Sequence, residues 1–165
     1  MEGCFVEFSS SEDAMLLRTI DCVNLVAALK RDGTFDDQHL ADEFSAAEKS
    51  YFWSPTPDEV RDWNAFWFST PVAERHSPRI PMPEWDYGSM VDAIAGADFV
   101  LKGVVTEGGR SYLTFEPHSY PFGGTGCLVA LLECLGNTVC SVNDGTGTVP
   151  YVQPLRWRRA AVSGS

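Results

Sequence analysis

The sequence predicts an α+β fold, with a helical N-terminal half followed by a β-β-α-β unit built on an antiparallel sheet. Three observations predict it. Apolar residues recur at spacings of three and four up to about residue 95. From Asp98 the chain changes to β-branched and aromatic runs separated by glycine turns. Between the halves, Pro71, Pro78, Pro81 and Pro83 leave residues 70–85 without a regular element.

Taken in order, Gly3 to Phe8 is short, aromatic and β-branched, and reads as a strand. Ser10-Ser11-Glu12-Asp13 has the form of a capping box, with an acid three residues after a hydroxyl. It predicts a helix to about Arg31, with Leu16, Ile20, Val23 and Ala27 on the buried face and Gly33 as its stop. Thr34 to Asp37 restarts a helix that places Leu40, Phe44, Ala47 and Tyr51 on one face. Thr56-Pro57-Asp58-Glu59 is the cleanest start signal, with Thr at N-cap, Pro at N1 and Glu at N3. That helix runs to about Ser69. A short helix follows from Tyr87 to Ala95, ending at Gly96.

Residues 99–105 and 111–115 flank Glu107-Gly108-Gly109-Arg110, which predicts a β-hairpin. A helix over 125–135 and a strand over 138–142 come next. Asn143-Asp144-Gly145 is a turn signal, and Val149 to Val152 reads as an edge strand because of Pro150. One domain over residues 1–152 is expected, with 153–165 as a loose C-terminal tail.

The net charge is −11, and its distribution is lopsided. Residues 1–98 hold 19 of 23 acids and 7 of 12 bases, a net of −12, while residues 99–165 carry +1. Such a field repels phosphate backbones, so nucleic acid is not an expected partner. It favours a basic protein and speeds encounter with one. Five cysteines without a Cys-x-x-Cys spacing, and His39, His76 and His118 far apart, argue against a zinc site. No cofactor is expected. Met1-Glu2-Gly3 lacks the positive start of a signal peptide, and no apolar run reaches the length of a membrane span. The expectation is a cytoplasmic protein with free thiols.

The turn Gly123-Gly124-Thr125-Gly126 lies just before an apolar helix, where free amides and the helix dipole favour an anion. Cys127-Leu128 stand where a phosphate loop needs Lys and Ser or Thr. Val129 replaces the third glycine of a dinucleotide fingerprint, and Pro121 stands where acetyltransferases carry a basic residue or Gln. The simpler reading of the turn is a sharp bend that lets the helix pack on the sheet. Cys127 reads as a core thiol rather than a nucleophile. Glu133 is the lone charge of its helix and reads as a solvent-facing edge, or, if buried, as the best acid–base candidate. Glu116, His118, Tyr120 and Asp144 are expected to converge near the turn.

The expected function is non-enzymatic protein binding. The acidic, aromatic-rich half would engage a basic partner through Trp53, Trp63 and Trp67, as an immunity-type inhibitor of a basic bacterial toxin or an adaptor would. The alternative is a small-molecule or anion site at Gly123, Gly124, Thr125 and Gly126, with His118 and Tyr120. A homodimer through the edge strand near Val149 is a third expectation.

Overall fold

The computed structural model describes residues 1–35 and 37–159, and the side chains of Asp37 and His39 are outside that description. The fold is α+β, as the sequence predicts. The elements are β1 (Cys4–Ser9), α1 (Asp13–Asp32), α2 (Asp37–Ala41), α3 (Ala46–Lys49), α4 (Pro57–Ser69), α5 (Tyr87–Gly96), β2 (Phe99–Glu107), β3 (Arg110–Pro117), α6 (Gly126–Cys134), β4 (Thr138–Asn143) and β5 (Thr148–Pro150). A single 3-10 turn at Val72–Glu74 interrupts the proline-rich connection.

The five strands form one antiparallel sheet in the order β2-β3-β1-β4-β5. The N-terminal strand therefore sits at the centre, between β3 and β4. Val6 lies opposite Leu113 on one side and Val142 on the other, so three strands send apolar side chains to one face. Val23 and Val26 of α1, Met90 and Ile94 of α5, and Leu128, Leu131 and Leu132 of α6 join that face in one hydrophobic core. Helix α6 is apolar apart from Glu133, because it packs on β1 and β4 and against α5. Gly108 and Gly109, at φ of 59° and 79°, make the tight turn of the β2–β3 hairpin.

Helix α4 starts as its sequence predicts. Thr56 Oγ1 accepts from the Glu59 amide, and the Glu59 carboxylate returns to the Thr56 amide. Helix α1 starts differently. Glu12 occupies its N-cap position without a side-chain bond, because Ser10 Oγ instead donates to Asn137 Oδ1 at 2.5 Å. The long helix expected from Asp37 to Tyr51 is two short ones. Ser45 and Glu48 form a capping box that restarts the chain at α3, and this leaves Ala47 exposed.

The C-terminal segment also departs from expectation. Residues 153–159 are not a loose tail. The Met82 amide donates to the Leu155 carbonyl at 3.0 Å, and the Trp157 amide donates to the Met82 carbonyl at 2.9 Å. This is a short parallel bridge between Met82 and Arg156. Trp157 is buried, and Arg158 makes a paired bond to Glu84 with distances of 2.6 and 2.9 Å. An apolar anchor and a charge pair hold the segment where composition alone reads as frayed. Residues 160–165 lie outside the described residues. Among the described residues, no helix is long and apolar enough to cross a membrane.

Candidate functional site

The glycine turn is exposed at Gly123, Gly124 and Gly126, but two of these glycines abut neighbouring side chains. Gly123 has φ of +103°, and a Cβ there would touch the Cβ of Ala97 at 3.4 Å. A Cβ on Gly126 would meet the Trp85 ring at 3.2 Å, so the glycine lets Trp85 lie against the start of α6. Thr125 takes the N-cap position, and its side chain makes no capping bond. The Thr125 carbonyl accepts from the Leu128 and Val129 amides, both at 3.0 Å.

The residues expected to gather at this turn are spread over the surface. Tyr120 is exposed and donates to the Asp144 carbonyl at 2.8 Å, so these two do meet. The Asp144 carboxylate is held by Thr146, whose amide and hydroxyl keep its carboxyl below the usual range. His118 Nδ1 lies 3.8 Å from Asp98, and Glu116 pairs with Lys102 at 2.8 Å. None of these four lines the cavity at the start of α6. Among the described residues, no three His, Cys, Asp or Glu side chains come together as metal ligands.

Glu133 does not face solvent. It is nine-tenths buried and accepts from the Tyr51 hydroxyl at 2.6 Å. Arg156 Nη2 lies 3.7 Å from the same carboxylate. Burial first, and then the neighbouring Glu133, push the Tyr151 phenol up to about 12. The same two causes raise the Tyr51 phenol, so both donors stay protonated around the carboxylate. Beside this cluster is a cavity of about 190 Å³, with Tyr51, Trp85, Gly126, Tyr151, Pro154 and Arg156 in its walls. Tyr51 and Arg156 join the Glu133 cluster to the start of α6, a juxtaposition that no local motif signals.

Cys127, at the first turn of α6, is buried, and that burial pushes its thiol up to about 11. It is a core group, and its amide surroundings do not offset the loss of water. Cys22 is raised in the same way, to about 12.

The three tryptophans assigned to a partner sit together, half-buried, on and beside α4. Trp53 and Trp63 pack edge-on against Trp157, with ring centroids 5.7 and 5.6 Å away. Trp63 also stacks on Trp67 at 5.5 Å. The acids around them are paired within the chain. Arg159 reaches Asp62 at 2.6 Å, and Arg61 reaches Asp58 at 3.1 Å. The chain's own basic, aromatic segment thus occupies much of the acidic, aromatic face.

Trp67 turns its remaining surface to a groove of about 750 Å³ between residues 75–82 and 152–155. Its apolar walls include Pro78, Ile80, Met82, Val152 and Leu155. Arg75 lies over the Trp67 ring at 5.2 Å. Val152 is 81% exposed and Leu155 57%, which is unusual for apolar side chains side by side along a groove. Comparison with family models, curated proteins and solved structures finds no match for the chain.

Proposed function

We propose that the protein binds another protein, and that the groove between residues 75–82 and 152–155 is the docking surface. The observation that carries this reading is the row of exposed apolar side chains, Met82, Val152 and Leu155, along an open groove floored by Trp67. Exposed apolar clusters of this kind mark contact surfaces, and aromatic floors supply their anchors. The partner is a basic protein. The net charge of −11 steers such a partner, while the groove provides the contact. Steering comes from the acids of the N-terminal two-thirds as a whole, because those beside the tryptophans are already paired with Arg61, Arg158 and Arg159. An immunity-type inhibitor of a basic toxin and an adaptor are the two concrete forms of this role.

Affinity capture from the native cell tests the reading, with the wild type run beside Val152→Asp and Leu155→Asp. The expected result is a basic protein retained by the wild type, weakened by added salt and lost from both variants. Capture that is equal for wild type and variants would place the contact elsewhere and overturn the groove assignment.

A further inference from the structure

We infer that the basic partner enters the groove beside Trp67 with an extended apolar segment, which adds as a strand to residues 153–155; this rests on the groove being the docking surface. One ladder in the structure stops after a single rung. Met82 and Arg156 form a parallel bridge, in which the Met82 amide donates to the Leu155 carbonyl and the Trp157 amide to the Met82 carbonyl. The Leu155 carbonyl therefore points toward residues 75–82, the far wall of the groove. In an extended chain the amide and carbonyl of one residue share a side, and those of the residue two before it share the same side. Pro154 holds Gln153 extended. The Leu155 amide and both backbone groups of Gln153 are thus turned into the groove.

The far wall does not meet these groups. Pro78 and Pro81 have no amide to offer. The Arg79 amide donates to Ser77 Oγ at 3.3 Å, and the Ile80 amide to the Ser77 carbonyl at 3.1 Å. Among the described residues, the Gln153 and Leu155 amides have no acceptor within the chain, and both residues are exposed. Free strand donors beside apolar side chains are what strand addition uses: main-chain bonds supply affinity, and the flanking walls select the side chains. Here the walls are Trp67, Ile80, Met82 and Val152, so the inserted side chains are apolar. Arg75 and His76 also line the groove, and among the described residues no acid does. The basic residues of the partner therefore lie outside the groove, where the net charge of −11 steers them. A helix is a poorer occupant, because its backbone groups are bonded internally and leave Gln153 and Leu155 as they are.

The test is an amide NMR titration of the full chain with the capped peptide Lys-Val-Thr-Val-Thr-Val-Lys. Its control is the same peptide N-methylated at the five central residues, which keeps every side chain and removes the backbone donors. Strand addition predicts downfield shifts and slowed exchange at the Gln153 and Leu155 amides. It also predicts binding about tenfold or more tighter than the methylated control, as the loss of main-chain hydrogen bonds implies. Gln153→Pro removes one of the two donors and leaves the apolar walls in place. It should keep the stability of the wild type and weaken the peptide about tenfold. If that variant is misfolded, the comparison of the two peptides on the wild type decides. Equal affinity for both peptides, no binding of the unmethylated one, or binding that leaves the Gln153 and Leu155 amides unmoved would each overturn strand addition. Should capture of the basic protein still be lost in Val152→Asp and Leu155→Asp, the docking surface would survive that outcome. Should capture be equal in those variants, the docking surface itself would fall, and strand addition with it.

Discussion

Gly123 shows how a single residue shapes the approach to α6. Its φ of +103° is outside what a side chain tolerates, and the neighbouring Ala97 leaves little room. Gly123→Ala is therefore expected to cost about 1–3 kcal/mol. Urea denaturation measures this directly, and an unchanged midpoint would show that the turn relaxes freely. The thiols divide by burial. Cys140 is exposed, whereas Cys22, Cys127 and Cys134 are buried with raised pKa values. In the native protein an aromatic disulfide reagent should titrate Cys140 first, and the three buried thiols should react only after denaturant is added. Rapid native labelling of Cys127 would contradict its place in the core. The burial of Cys127 is legible in the sequence, because Leu128, Val129, Ala130, Leu131 and Leu132 surround it with apolar neighbours. The burial of Glu133 is not legible, because Tyr51, Tyr151 and Arg156 reach it only through the tertiary fold.

Among the elements, α4 and the β2–β3 hairpin are written locally. Their capping box and paired glycines are short-range signals that packing does not override. The break between α2 and α3 is also local, since Ser45 and Glu48 carry a capping signal of their own, but the apolar period running through it conceals it. The docking of 153–159 is a different matter. Its anchor, Trp157, finds Trp53 and Trp63 in a remote part of the chain, and three arginines find acids on three other segments. Trp157→Ala should cost about 3–5 kcal/mol and raise hydrogen exchange in this segment. Retention of full stability would mean that the salt bridges alone hold it. By contrast, Val152→Asp lies on the exposed wall of the groove and should change stability by about 0.5 kcal/mol or less. Differential scanning calorimetry separates the two variants, and a large loss in Val152→Asp would show that this side chain supports the fold.

For the whole molecule, the charge pattern bears on stability. Burial disfavours ionised Glu84, but the Arg158 bond outweighs it and holds the carboxyl below its ordinary value of 4.5. Burial is likewise outweighed at Glu48, by the Ser45 amide and Arg18. Both groups bind a proton more readily in the unfolded chain, so acid favours unfolding. Their contribution is complete above the unfolded pKa and is lost as pH falls through the lower folded values. Urea midpoints should thus fall from about pH 6 to about pH 3, and Glu48→Gln with Glu84→Gln should flatten that slope. An unchanged slope would remove these two pairs from the account.

The proposed docking surface for a basic protein is the groove beside Trp67. Hydroxyl-radical footprinting of the protein with its captured partner tests this most directly. The account predicts strong protection at Met82, Val152 and Leu155, with exposed Leu17 on α1 unchanged. Protection at Leu17 with Met82, Val152 and Leu155 still fully reactive would contradict it.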